Sequence, residues 1–123
     1  MKYEHITSRI IGGAMKVHSA LGPGLLESAY RACLTHVLSS EGMNLQCDWP
    51  LKVHFNGVTL DAGYRVDLLV EDLVIVELKS VERIIAVHEA QLLSYLKLSG
   101  RPVGLLINFN VLHLRDGICR KVI

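Results

Sequence analysis

The chain predicts an α/β fold, a central mixed β-sheet flanked by helices, on three observations. Asn56-Gly57 stands between two alternating runs and marks a tight hairpin, because a type I′ turn needs positive φ at both central residues and this pair tolerates it best. Residues 74–80, Val-Ile-Val-Glu-Leu-Lys-Ser, form an apolar, β-branched run bounded by Glu71-Asp72, the pattern of a buried strand. After one helix-length segment a second buried run follows at 103–109. A strand, helix, strand succession of that length favours a right-handed crossover, which sets the two strands parallel.

Taken in order, a first helix is expected over about residues 7–21, with Ile10, Ile11, Ala14, Val17, Ala20 and Leu21 near helical spacing. Thr7 or Ser8 is available as its cap, and Gly12-Gly13 weakens it. Gly22-Pro23-Gly24 breaks the helix, since Pro23 has no amide hydrogen. A second helix is expected over 25–40, with Leu26, Ala29, Tyr30, Cys33, Leu34, Val37 and Leu38 as its apolar stripe and Glu27 on that face or its border. Strands begin near Leu45. The return strand of the Asn56-Gly57 hairpin runs from Val58, with a bend near Gly63, through 64–70. A third helix is expected over 87–99, ended by Gly100 with Pro102 beyond, and residues 111–123 read as a short hairpin around Asp116-Gly117.

Composition narrows the function classes. The 123 residues suffice for one domain with a real core, over 1–123, but not for two. Half the residues are hydrophobic and mean hydropathy is +0.34, a balance that a homodimer or a partner protein would explain by covering apolar surface. No apolar stretch approaches the roughly 20 residues of a membrane span, and no signal-peptide core follows Met1-Lys2-Tyr3-Glu4-His5, so no membrane association and a cytoplasmic location are expected. Cys33, Cys47 and Cys119 are odd in number and widely spaced, as reduced packing residues are. Cys33-x-x-His36 lacks the second pair that a zinc site needs. The net charge of +1 argues against nonspecific grip on long DNA, while leaving room for a local basic patch.

Charge at the end of the buried run 74–80 is its unusual feature. Side chains alternate along a strand, so Glu77 and Lys79 share a face with Ile75, and either a structural ion pair or half of a metal site would account for them. In the preceding strand Tyr64, Val66, Leu68 and Val70 are expected on one face, with Arg65, Asp67 and Leu69 on the other. Opposed residues of an antiparallel pair have a constant sum of sequence numbers and point to the same side. Placing Asp67 on the face of Glu77 requires an even sum, and so does stacking Val66, Leu68 and Val70 beside Val74, Val76 and Leu78. Pairing Val70 with Val74 around the loop 71–73 meets both demands and sets Asp67 opposite Glu77. Two such carboxylates can hold a hard cation such as Mg²⁺, with the Leu78 carbonyl as a further ligand. A lysine beside them can position the attacking water and stabilise charge developing on a phosphate.

Asp67, then Glu77-Leu78-Lys79 on the next strand, then Gln91-Leu92-Leu93-Ser94-Tyr95 on the following helix, resembles the PD-(D/E)XK nuclease superfamily, in particular its RecB-like branch with a Gln-x-x-x-Tyr helix. Gly24-Leu25-Leu26-Glu27-Ser28-Ala29-Tyr30 looks like the signature of the small GxxExxY proteins placed in that superfamily. The resemblance implies a restriction-endonuclease-like core, a Mg²⁺ or Mn²⁺ site at the open end of the central hairpin, and DNA or RNA as substrate. Asp67 and Glu77 would be metal ligands and Lys79 the catalytic lysine. Glu27 would reach the site from its helix as a ligand or water partner, while Gln91 and Tyr95 line it. His88 falls on the same helical stripe as Gln91 and Tyr95. Arg65 and Arg83 flank the acidic strands as possible phosphate contacts. The superfamily's proline beside the Asp is missing here. The competing expectation is a catalytically inactive nuclease-fold scaffold or accessory binding module, with the acids as a structural network and Glu27 simply complementing the helix dipole.

Overall fold

A computed structural model describes residues 3–123; Met1 and Lys2, which begin the segment read above as lacking a signal peptide, lie outside the described residues. Helices α1 (Glu4–Leu21) and α2 (Glu27–Ser40) come first, followed by β1 (Leu45–Phe55), β2 (Val58–Val70) and β3 (Val74–Lys79). Then come α3 (Ala86–Ser99), β4 (Val103–Asn108), a 3-10 turn at Leu114–Gly117 and β5 (Ile118–Val122). The five strands lie side by side in chain order. Only β3 and β4 run parallel, joined by the expected crossover through α3. The sheet is therefore mixed, as the sequence predicts. Among the described residues no helix is long and apolar enough to cross a membrane.

Two apolar clusters hold the layers together. On one face α1 and α2 contribute Ile10, Ala14, Tyr30, Leu34 and Leu38 against Leu68, Val76, Leu105, Ile107 and Phe109. On the other, α3 lays Leu92, Tyr95 and Leu96 on Leu51, Leu69, Ile75 and Leu106. Because β3 and β4 are covered on both faces, they open as continuous apolar runs rather than alternating ones, and polar residues enter only toward their ends.

Several local expectations are corrected. The first helix starts at Glu4, so Thr7 is inside it and its hydroxyl donates to the Glu4 carbonyl at 3.1 Å instead of capping the end. Leu26 is the extended residue before α2 and is 77% exposed, so it leaves the stripe to Tyr30, Leu34 and Leu38. Residues 111–123 form no hairpin of their own, because β5 finds a better partner in the edge of β4. Near Gly63 the expected bend is present as a register shift, from Leu51 opposite Tyr64 to Val53 opposite Leu60. Beyond it the β1–β2 hairpin projects as an arm with no third strand beside it.

The largest departure concerns the faces of β2. Leu68 and Val70 pack with α1 and α2, but Val66 joins the α3 cluster and Tyr64 meets Tyr95 edge-on at 6.0 Å. Strict alternation thus breaks at Asp67. Its neighbour across the ladder, Asp48, lies between the pairs Cys47 with Leu68 and Trp49 with Val66, and adopts positive φ (49°). The two strands turn over together at this level, which keeps the β1–β2 register but moves the arm toward α3.

The two glycines of α1 differ in what surrounds them. A Cβ on Gly13 would come within 2.8 Å of Leu38 Cδ2, whereas one on Gly12 would meet nothing. Gly12→Ala is therefore expected to stabilise the protein by about 0.5–1 kcal/mol through helix propensity. Gly117→Ala would drive a Cβ into the Asn108 carbonyl, a backbone atom that cannot step aside, and is expected to cost about 1–3 kcal/mol. Urea denaturation of both variants measures this; equal midpoints would contradict it.

Candidate active site

The ladder between β2 and β3 pairs Val70 with Val74, Leu69 with Ile75 and Leu68 with Val76, the register expected from parity. One step further, the strands part, since β2 leaves with β1 into the arm while β3 stays with β4. Their backbone amides need other partners there. The Asp67 N–H donates to Glu77 Oε1 at 3.1 Å, and the Leu78 N–H donates to Asp67 Oδ2 at 2.8 Å. Each acid thus satisfies a backbone donor on the opposite strand, at the fork, and is tied to the strand that carries the other.

Glu77 is only 7% exposed. Burial pushes its carboxyl up to about 8, and the neighbouring Asp67 charge adds to the effect; the hydrogen bond from the Asp67 amide and the charge of Lys79 oppose it, and Glu27 raises it slightly. Lys79 acts as a nearby charge without a hydrogen bond, so the close ion pair weighed from sequence is not what holds Glu77 in place. Tyr95, buried at the other wall, has its hydroxyl pushed up by burial, then by Glu77, Tyr64 and Asp67. It therefore stays protonated as a donor beside the acids.

Glu27 is the first residue of α2 and is exposed. The loop that delivers it is built by Tyr30, whose hydroxyl donates to the Gly22 carbonyl at 2.6 Å and accepts the Leu25 N–H at 3.1 Å. The Tyr30 ring is fully buried, stacked on Phe109 with centroids 4.4 Å apart. Ser80, just past β3, donates its hydroxyl to the Leu25 carbonyl at 2.5 Å. In the Gly24, Glu27, Tyr30 spacing, then, tyrosine shapes the loop and glutamate carries the charge.

The remaining expected residues divide. Gln91 is half-buried on α3, one turn before Tyr95. His88 is engaged in capping: its Nδ1 accepts the Ile85 N–H at 3.1 Å while its own amide donates to the Ile85 carbonyl. Arg65 turns along the arm to Asp61 and the Tyr64 carbonyl, and Arg83 is exposed. Two residues were missed. Arg31 Nη1 contacts Asp67 Oδ1 at 3.2 Å, and its spacing from Glu27, one helical turn, was the available signal. Asn108, 1% exposed, binds both backbone groups of Val81 and so fixes the chain leaving β3; nothing in its apolar strand context announced this beyond its polarity.

Among the described residues no three His, Cys, Asp or Glu side chains converge closely enough to hold a metal ion. Asp67, Glu77 and the Leu78 backbone come together, while Glu27 stays at longer range. The donor set is nevertheless oxygen-only, and a carboxyl lifted by burial and then by its acidic neighbours is what a divalent cation would relieve. These residues fit such an ion.

A family model described as the PD-(D/E)XK nuclease superfamily matches residues 4–121. No curated protein and no solved structure matches the chain.

With its folded-state value near 8 against an ordinary 4.5, Glu77 holds its proton longer in the folded protein than in the unfolded chain. Stability is therefore lost as pH climbs from 4.5 to 8 and levels off above it. Glu77→Gln keeps the acceptor for the Asp67 amide and removes this slope. In chelator it should gain on wild type by a few kcal/mol between pH 5 and pH 9, to order of magnitude. Parallel pH profiles in urea melts would count against a buried, uncompensated carboxyl.

Proposed function

Because this chain belongs to the PD-(D/E)XK nuclease superfamily, whose members generally use divalent metal ions and act on nucleic acids, we propose that it hydrolyses phosphodiester bonds of DNA or RNA with Mg²⁺ or Mn²⁺ held by Asp67 and Glu77. The observation that carries this reading is the fork, where two carboxylates are locked face to face with Lys79 beside them. The Leu78 carbonyl and Glu27, the latter directly or through water, complete the ligand set. When bound, the cation supplies charge stabilisation at the phosphoryl oxygen and an acidified water.

Each protein group then has a task. Lys79 holds the attacking water and offsets negative charge as the new phosphorus–oxygen bond forms and the old one breaks. Tyr95, protonated and within electrostatic reach of Glu77, donates to a phosphate oxygen, and Gln91 orients the substrate from the same helix. The Gln91/Tyr95 stripe and the Gly24, Glu27, Tyr30 loop support placement in the RecB-like branch and its GxxExxY group. An inactive scaffold or binding module has one observation in its favour, the ion pair that Arg31 makes with Asp67.

The test begins with Mn²⁺ and Mg²⁺ calorimetry on wild type and Asp67→Ala, followed by a panel of single-stranded, duplex, branched and RNA substrates. Asp67→Ala should lose metal binding. Lys79→Ala should keep it while losing about a hundredfold or more in cleavage rate. Equal cleavage by wild type and Lys79→Ala would assign the activity to an impurity, and failure of wild type to bind either ion with nucleic acid present would refute the reading.

A further inference from the structure

Arg31 lies one turn beyond Glu27 on the same side of α2 and reaches two carboxylates at once. Its Nη1 sits 3.2 Å from Asp67 Oδ1 and 3.1 Å from Asp48 Oδ1. Asp48 stands across the ladder from Asp67, at the point where β1 and β2 turn over, and its left-handed backbone (φ 49°) is part of that turn. Three elements thus meet on one guanidinium. The fork uses Asp67 Oδ2 for the Leu78 amide, so the guanidinium takes the other oxygen. Its side chain is 35% exposed and that of Asp67 21%, so the pair is partly screened but not solvated away.

A divalent cation coordinated through Asp67 would stand within a few ångströms of this guanidinium. Repulsion at that distance exceeds what a partly exposed ion pair returns. Resting on the metal-binding reading above, we propose that Arg31 is an internal counter-ion of Asp67 which a divalent cation displaces, leaving the guanidinium tethered to Asp48. Arginine suits both states, because its fork of donors binds a carboxylate or a phosphate equally well. The metal-free site is held closed by its own cation, and the arriving ion exposes a phosphate-binding group beside the acids.

Mn²⁺ titration calorimetry on wild type, Arg31→Ala and Arg31→Lys tests this, together with melting temperatures in chelator and at saturating Mn²⁺. Arg31→Ala should bind Mn²⁺ about three- to tenfold more tightly than wild type, with Arg31→Lys between them. In chelator Arg31→Ala should melt below wild type, and saturating Mn²⁺ should erase the difference. Unchanged or weaker Mn²⁺ affinity would overturn the displacement while leaving the metal site standing. Tighter binding with no loss of stability in chelator would also overturn it, since that is the mark of simple long-range repulsion. Absence of Mn²⁺ binding in every protein would remove the metal reading itself. Should Arg31→Ala not fold, Arg31→Lys decides alone, by binding more tightly than wild type or not.

Discussion

The structure around the acids depends on one arrangement, the exchange of backbone amides for carboxylates where β2 parts from β3. Two strands that diverge inside a protein leave donors without partners, and each such donor is costly when buried. Asp67 and Glu77 remove that cost across the gap, so the same acidic side chains also bridge the fork. Their geometry is set by backbone, not by long flexible side chains. Such a site is preorganised by the sheet itself.

What gathers around the fork is electrostatically lopsided. Glu77 lies in an apolar surround with Asp67 close and Glu27 further off, and Lys79 reaches it only as a neighbouring charge. Asp67 has an arginine, brought by α2 and shared with Asp48. The helix that delivers Arg31 and Glu27 is anchored by Tyr30, whose hydroxyl bonds on the 22–25 loop and stacking on Phe109 tie that loop to the strand beyond the crossover. Asn108, at the end of β4, secures the chain just past β3 through both backbone groups of Val81. Positioning of the charged groups is thus shared between a polar fork and buried clamps that carry no charge.

Much of this was legible in the residues. The apolar runs at 74–80 and 103–109, Asn56-Gly57 and the glycine–proline break after Leu21 each act through local rules of period and turn geometry, and those gave the mixed sheet and its crossover. The β2–β3 register followed from parity together with the short loop 71–73, because a one-residue slip would turn every side chain to the wrong face. Parity failed at Val66 for a physical reason. It assumes a regular strand, and the turnover at Asp48 and Asp67 resets the faces while preserving the pairing.

The sequence by itself determined the fold class, the β2–β3 register that brings Asp67 and Glu77 to one place, and the spacing that sets Glu27 and Tyr30 on one helix, since each is a matter of neighbours in the chain or of one hairpin. Only the tertiary structure decided that Glu77 is buried enough to hold its proton near neutrality, that the Tyr30 hydroxyl shapes the 22–25 loop, that His88 caps a helix, and that Arg31 stands on Asp67. Burial and charge contact depend on how α2 and α3 lie against the two faces of the sheet, and no local pattern encodes which side chains those faces bring into contact.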